Sequence, residues 1–294
     1  MNKKNPVKIC LLVSACIMLL AVCLSLFGRG INLGLDFSGG MSMKYDLGQE
    51  AAQGEVAQVL GADYTVTIQG AGRSEALVRL KSADAEEVQV RQDEVTAMLQ
   101  AVYPAAAPVG DVSYVGPVAG ETLIRNALTS VLIAAGLMLV YIAWRFDFNS
   151  GVAAVFGLLH DVLIMLSFMV ILRDLVEMNS SFIAAMLTIV GYSINNTIVI
   201  FDRIRENARK MPATPKAEVV SISVKECRGR TINTTLTTLI TIVALYILGV
   251  DAIREFALPI IVGIVSGVYS ANMINGYVWA YLEERKNAPK AKKA

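Results

Sequence analysis

Hydrophobic residues dominate six stretches of the chain, and each stretch is long enough to cross a lipid bilayer. A helix needs about 20 apolar residues to span a hydrocarbon core that is about 30 Å thick. The six stretches are Ile9–Phe27, Asn126–Trp144, Gly151–Leu172, Phe182–Phe201, Asn233–Val250 and Ala257–Leu282. This pattern predicts an α-helical membrane protein with six transmembrane helices.

The segment 28–125 has a different pattern, in which short alternating stretches are separated by amphipathic ones. Alternation of apolar and polar residues predicts strands, and Gly or Pro marks the ends of elements. The predicted elements are, in order, strand Met41–Leu47, helix Glu50–Leu60, strands Tyr64–Gln69 and Ala76–Lys81, helix Ala83–Tyr103 and strand Asp111–Val115. A turn at 70–72 joins the two middle strands, and Ser82 or Asp84 caps the second helix. The order βαββαβ predicts a small α+β domain of the ferredoxin-like type.

The distribution of positive charge predicts how the chain is oriented. Lys and Arg residues are concentrated near the N-terminus, after the second span, in 202–230 and in 283–294, whereas the two short loops of the other side carry Arg173 and Arg254. Because cytoplasmic loops hold an excess of Lys and Arg, both termini are predicted to be cytoplasmic. The predicted parts are the N-terminus with the first helix (1–27), an external domain (28–125), helices two to six (126–282) with a basic cytoplasmic loop (202–230), and a basic tail (283–294). The basic loop is predicted to contact lipid headgroups or a cytoplasmic partner.

The fourth span is the most polar of the six. It begins as a lipid-soluble helix and then carries a run of polar residues, which are Tyr192, Ser193, Asn195, Asn196 and Thr197. It ends in charged residues, which include Asp202, Arg203, Arg205 and Glu206. Polar groups in hydrocarbon need partners inside a helix bundle and often mark a path for substrate or ions. We therefore predict that this helix is the polar axis of a transporter subunit.

Two other spans carry polar residues that fit the same interpretation. His160 and Asp161 form a pair in the third span, which either faces the bundle or lies near a helix end as a cap. In the fifth span Arg230, Thr234 and Thr237 fall on one face of a helix. The threonines either line a water-filled path or donate hydrogen bonds to carbonyl groups of their own helix.

The remaining features concern packing and the classes of protein that are excluded. Gly263 and Gly267 form a G-x-x-x-G pattern, which permits close helix approach in the sixth span. The chain has no P-loop, no spacing typical of a zinc site and one histidine, so neither an enzyme, a metal site nor a cofactor is predicted. A net charge of +1 offers no basis for binding nucleic acid. Three of the four cysteines lie in the first span, so segment 28–126 cannot hold a disulfide scaffold.

The ordered motifs resemble those of the SecF family of protein-export membrane proteins. Gly191–Asn207, with the sequence GYSINNTIVIFDRIREN, resembles the family's fourth-helix signature. Further pieces match in the same order and include Gly34, Asp36, Gly39 and Gly40 beyond the first helix, Gly116 and Pro117 before the second, His160–Asp161, Arg230–Thr238 and Gly263–Ser270. The resemblance covers the whole chain.

The resemblance implies membership of the resistance-nodulation-division superfamily, in which this chain supplies half of the helix bundle. It implies a partner, SecD, and association with the SecYEG channel and YajC in the inner membrane of a bacterium. The pair would use the proton gradient to pull the translocating polypeptide across the membrane after the motor SecA has pushed it in.

One position departs from the family pattern. Asn196 stands where the family usually has Asp, and an amide cannot release or take up a proton. Either SecD supplies the titrating carboxylate, or this subunit is weakened or used differently, or the residue is an engineered change. Two other function classes stay open, a small-molecule or lipid exporter of the same superfamily and a scaffold of the translocon that uses no energy. The coupling ion is either the proton or sodium.

Overall fold

The computed structural model describes residues 5–69, 72–80, 85–173 and 176–287. Its helices are α1 (Asn5–Leu26), α2 (Leu35–Ser38), α3 (Gln53–Leu60), α4 (Val88–Val102), α5 (Pro117–Arg145), α6 (Phe148–Ile171), α7 (Ser180–Lys210), α8 (Lys216–Leu248), α9 (Asp251–Ser270) and α10 (Gly276–Asn287). Its strands are β1 (Gly40–Asp46), β2 (Tyr64–Gln69), β3 (Glu75–Leu80), β4 (Ala107–Pro108) and β5 (Ser113–Val115). A 3₁₀ turn, Ala85–Glu87, precedes α4, and a π turn, Ala271–Asn275, joins α9 to α10. The chain divides into two compact units, residues 33–127 and the rest.

The unit 33–127 is an antiparallel sheet with the strand order β2-β3-β1-β4. β5 also pairs with β1, so two short strands, β4 and β5, follow α4 where one strand was predicted. This order is the one that a split βαββαβ arrangement produces, and the predicted fold class is confirmed. The predicted strand Asp111–Val115 is two residues too long, and β4 was not predicted because Pro104 and Pro108 interrupt the alternation. Residues 70, 71, 82 and 84 of the predicted turn and caps lie outside the described residues.

The core of this unit follows from alternation along β1. Met41, Met43 and Tyr45 point to one face of the strand and are almost completely buried. Val95 and Leu99, one turn apart on α4, cover them. The Tyr45 hydroxyl donates to the Gln92 carbonyl at 3.1 Å, so its polar atom is satisfied within the core. The core between the sheet and α4 therefore contains the β1 side chains that the alternating pattern predicted to be buried.

Replacing Val95 by alanine is expected to destabilise this unit by about 2 kcal/mol, because two buried methyl groups are lost and leave a cavity. Val95 is fully buried, whereas Val90 on the same helix is 66% exposed. Val90→Ala is the matched control and should change stability by less than about 0.5 kcal/mol. Pulse proteolysis of the full chain in urea would measure both, and equal destabilisation by the two variants would contradict the described core.

The second unit contains six helices that are long and apolar enough to cross a membrane, by length and composition, among the described residues. The predicted six spans are therefore confirmed. The central layer consists of α6, α7 and the continuous α9–α10 rod, in which half or more of each apolar window is buried. In α1, α5 and α8 the buried share is about a tenth. These three outer helices leave most of their surface to lipid or to another protein.

The basic stretch 202–230 was predicted to be a loop, but most of it is helical in the structure. α7 continues to Lys210 and α8 begins at Lys216, so the non-helical connection is Met211–Pro215. The charges are compatible with a helix because they pair within one or two turns. Arg203 bonds Glu206 at 2.5 Å and Glu226 of α8 at 2.6 Å, and Lys210 bonds Glu206 at 2.6 Å. Of these, the pair Arg203–Glu226 joins α7 to α8, and the other two stabilise the end of α7.

Candidate ion site

A buried carboxylate lies where the three central helices meet. Asp161 is in the middle of α6 and is 1% exposed. Ser193 of α7 and Ser270 of α9 donate to its Oδ2 at 2.6 and 2.8 Å. Ser266 of α9 donates to Oδ1 at 2.6 Å. Three hydroxyl groups from two neighbouring helices therefore converge on one carboxyl group.

The local sequence explains why these hydroxyls reach Asp161. Ser266 and Ser270 are four residues apart, so they lie on one face of α9. Gly263 and Gly267 lie on α9 where it packs against α7, and a Cβ at Gly267 would be 3.1 Å from the Ser193 Cβ. A Cβ at Gly263 would be 2.5 Å from Ile189. The glycine pair thus permits the close approach that places α9 beside Ser193.

His160 extends this cluster towards α1. Its Nδ1 is 3.1 Å from Asp161 Oδ1, and its Nε2 is 2.8 Å from the hydroxyl of Ser14 in α1. The ring also stacks on Tyr269, with a centroid separation of 6.0 Å. Both residues of the pair are buried in the middle of a 24-residue helix. The alternative in which His160 and Asp161 cap a helix end is therefore wrong.

A second polar group lies one turn along α7. Asn196 and Thr197 are buried, and Asn275 of the π turn donates to Thr197 Oγ1 at 2.9 Å. Gly157 of α6 lies directly against the Asn275 side chain, where a Cβ would overlap it. The π turn itself sets Asn272 and Asn275 into the bundle, and such turns are frequent at functional sites.

Three buried polar atoms of this region have no hydrogen-bond partner among the described residues. They are Asn196 Nδ2, Asn275 Oδ1 and Trp279 Nε1. Buried polar atoms in proteins are nearly always bonded to protein or to internal water. The region around Asn196 therefore has unused donors and acceptors inside the membrane bundle.

The remaining polar residues of the predicted axis lie on the outside of this chain. Tyr192 is half-buried and donates to Thr235 of α8 at 3.4 Å, while Asn195 is exposed. Arg230, Thr234 and Thr237 are exposed on α8. The Thr237 hydroxyl donates to carbonyl groups of its own helix, as the alternative interpretation predicted.

The predicted set of ion-path residues is thus divided into two groups by α7. Ser193, Asn196 and Thr197 face the central layer. Arg230, Thr234 and Thr237 of α8 are exposed on the outside of this chain. Asp202, at the end of α7, is exposed and lies 3.5 Å from Arg145 Nη2. Arg205 donates to the Arg145 carbonyl at 3.3 Å. The charged end of α7 therefore contacts α5 and α8 and does not join the Asp161 cluster.

The motif beyond the first helix forms a compact turn in the unit 33–127. Gly34 precedes α2, which contains Asp36, and Gly39 and Gly40 follow it with positive φ angles of 66° and 106°. A side chain is strained at such φ values, which accounts for glycine at both positions. Gly116 and Pro117 stand at the start of α5.

Gly120 lies near the start of the second predicted membrane helix. In the structure it lies within α5, and a Cβ there would be 3.0 Å from the Phe37 carbonyl oxygen. The glycine therefore permits close packing of α5 against α2.

Several residues of the cluster were not predicted to be site residues, namely Ser14, Ser266, Ser270, Asn275 and Trp279. Ser266 and Ser270 had a signal, because they flank Gly267 at helical spacing within the motif Gly263–Ser270. Ser14 and Trp279 had none, because isolated polar residues in apolar spans do not reveal which helix they face.

Comparison with known proteins gives a consistent result. The family described as protein export membrane protein SecD/SecF, C-terminal, matches residues 94–285, and the SecD/SecF GG motif matches residues 24–51. The protein translocase subunit SecF of Alicyclobacillus acidocaldarius is 37% identical over 90% of this chain and 88% of the relative. The SecF of Rhodothermus marinus is 38% identical over 92% of this chain and 90% of the relative.

A longer relative and its structure extend this result. The protein translocase subunit SecDF of Thermus thermophilus is 36% identical over 96% of this chain but 39% of the relative. The crystal structure of SecDF from the same organism superposes with a TM-score of 0.83 at 34% identity, over 97% of this chain and 39% of that chain. This chain thus spans about two fifths of the fused protein. It belongs to the SecD/SecF family of protein-export membrane proteins, and it is a multi-pass membrane protein whose relatives of similar length are SecF subunits of the protein translocase.

Proposed function

We propose that this chain works with SecD in late-stage protein export, where an ion gradient drives the translocating polypeptide across the membrane. The observation that supports this role is the burial of Asp161 and its hydroxyl partners within the bundle. Ionisable groups in membrane spans are costly, and they belong to ion and proton pathways in transporters. Moving one charge across a potential of 100 mV releases about 2.3 kcal/mol, which such a site can couple to a conformational change.

The partnership with SecD is supported by the outer surfaces of α7 and α8. Thr188, Gly191 and Asn195 form an exposed small and polar stripe on α7, and Arg230 and Thr234 lie exposed on α8. Small and polar residues mark helix–helix interfaces in membranes. The SecDF fusion joins the two halves in one chain, and this chain matches about two fifths of it. We propose that a SecD chain covers this stripe and that Arg230 pairs with one of its carboxylates.

The proposed orientation follows from the positive-inside rule. Both termini and the short connection Met211–Pro215 would be cytoplasmic, and the unit 33–127 would lie outside, where it meets the emerging polypeptide. The setting would be the inner membrane of a bacterium, with SecYEG, YajC and SecA as further partners.

Export into membrane vesicles tests the proposal. With this chain and SecD present, an ionophore that collapses the proton gradient is expected to slow preprotein translocation several-fold, and omission of either subunit should remove that sensitivity. Comparison of sodium-containing and sodium-free buffers identifies the coupling ion.

Two results would contradict the proposed function. Translocation that is equally fast with and without the ionophore would indicate a scaffold that uses no energy. Failure of the chain to co-purify with SecD, together with gradient-driven efflux of a small molecule, would indicate an exporter.

A further inference from the structure

Asp161 is the one buried carboxyl group among the described residues of the bundle. Position 196 holds an asparagine, whose amide cannot take up a proton. We infer that Asp161 is the group in this chain that binds and releases the coupling proton. This inference rests on the proposed function for its role in export, whereas binding of a proton at Asp161 is argued from the geometry alone.

The hydrogen bonds around Asp161 allow a proton to be accommodated without a change in packing. Ser270 donates to Asp161 Oδ2 at 2.8 Å and has a second acceptor, the Gly267 carbonyl, at 3.2 Å. When a proton binds Oδ2, the Ser270 hydroxyl can turn to Gly267, and its oxygen then accepts the new O–H group. Ser266 continues to donate to Oδ1. The step forms one O–H bond, neutralises one charge and needs no other reactant.

A route to Asp161 exists on the side of α1. The Asp161 carboxylate is bonded to His160, and His160 Nε2 is bonded to Ser14 at 2.8 Å. A cavity of about 320 Å³ lies between α1, α6 and α9, and His160, Ser14 and Ser266 are in its wall. The other side chains that line this cavity are mostly apolar. Imidazole can pass a proton between its two nitrogens, so His160 can relay a proton between Ser14 and Asp161.

A second route leads towards the charged end of α7. Asn196 lies one turn after Ser193, and Asn275 bonds Thr197. The unpartnered atoms of Asn196, Asn275 and Trp279 follow this direction. Trp279 also borders a cavity of about 290 Å³ that is lined by Ser150, Arg205 and Lys216, among others. Internal water bonded to these unpartnered atoms would complete this route.

The same geometry favours a proton over a sodium ion. The three hydroxyl oxygens lie 2.6–2.8 Å from the carboxylate oxygens, and each is already joined to them by its own hydrogen atom. A metal cation between these oxygens would have to break all three hydrogen bonds. A proton requires only that Ser270 turns.

The ionisable groups around Asp161 are few among the described residues. His160 is on the same helix, and Tyr269 of α9 and Cys10 of α1 lie beyond Ser14. The face of α7 contributes Ser193 and Asn196, which do not titrate in water. Arg230 of α8 is exposed. The carboxyl group of Asp161 therefore has to be distinguished from the His160 imidazole, the Cys10 thiol and the Tyr269 phenol.

Infrared difference spectroscopy of the full chain in lipid nanodiscs distinguishes the Asp161 carboxyl group from these other groups. The wild type is expected to show a carbonyl band of a protonated carboxyl group that grows as the pH falls, and Asp161→Asn should remove it. Asp147→Asn is the matched control, because Asp147 caps the same helix and asparagine caps equally well. In Ser270→Ala the band should remain but move in frequency, since the O–H group loses its acceptor. This variant retains the carboxyl group if Asp161→Asn fails to fold.

The outcomes separate this inference from the proposed function. Absence of a titrating band in the wild type, or its persistence in Asp161→Asn, would overturn the inference. If the carbonyl band no longer changed with pH in sodium chloride but still did so in choline chloride, the site would bind a cation, and this result would also overturn the inference. A band that titrates as expected supports the inference even if wild-type export ignores the ionophore, and in that case the proposed function alone fails.

Discussion

Replacement of Arg230 by alanine is expected to abolish the stimulation of export by the ion gradient, while the complex with SecD still assembles. Arg230 is exposed on α8 at the start of its apolar stretch, and no ion pair with it is formed among the described residues. A guanidinium group in a membrane span costs several kcal/mol unless it finds a partner. We expect a carboxylate of SecD to be that partner and the pairing to depend on its charge.

Preprotein translocation into vesicles, with and without an ionophore, measures this effect. Arg228→Ala is the matched control, because Arg228 is also exposed on α8 but lies about 200° around the helix from Arg230. It should retain the response to the gradient, and Arg230→Lys should retain part of it because the charge remains. An unchanged response in Arg230→Ala would exclude the proposed pairing, whatever the behaviour of the control.

Replacement of Gly263 by leucine is expected to lower the stability of the bundle by about 3 kcal/mol or more. The first atom of the new side chain would already lie 2.5 Å from Ile189 and 2.9 Å from the Met165 sulfur. Both neighbours are buried in the contact between α6, α7 and α9, so they have little room to move. Because Gly263 also sets the distance of Ser266 and Ser270 from Asp161, the variant should lose gradient-driven export.

Heating the purified chain and following its monodisperse fraction would show a midpoint about 10 °C below that of the wild type. Gly136→Leu provides the control, since Gly136 is exposed in the middle of α5 and a Cβ there would meet no neighbouring atom within 4 Å among the described residues. That variant should match the wild type or exceed it slightly, because leucine favours helix over glycine. A similar loss in both variants would mean that α9 does not pack on α7 at Gly263.

Most of the architecture was predictable from local pattern. The six spans follow from length and hydrophobicity, and the βαββαβ order follows from the change of period between strands and helices. The errors lie where local pattern is weak. Residues 202–230 have the composition of a loop, but ion pairs such as Arg203–Glu226 and Lys210–Glu206 stabilise them as helix. The additional strand β4 depends on pairing with β1, which no local signal specifies.

In the candidate site, the difference between what local pattern predicts and what depends on helix packing is larger. The hydrophobic pattern alone shows that Asp161 and Asn196 are polar groups within spans and that Arg230 adjoins one, so each needs a partner that hydrocarbon does not provide. The packing of the helices brings Ser266 and Ser270 to Asp161, although they are 105 and 109 positions away along the chain. It also decided that Asn196 faces inward and Arg230 outward. The reason is physical: helix period relates residues on one helix to each other, whereas the rotation of one helix against the next depends on close packing at positions such as Gly263 and Gly267.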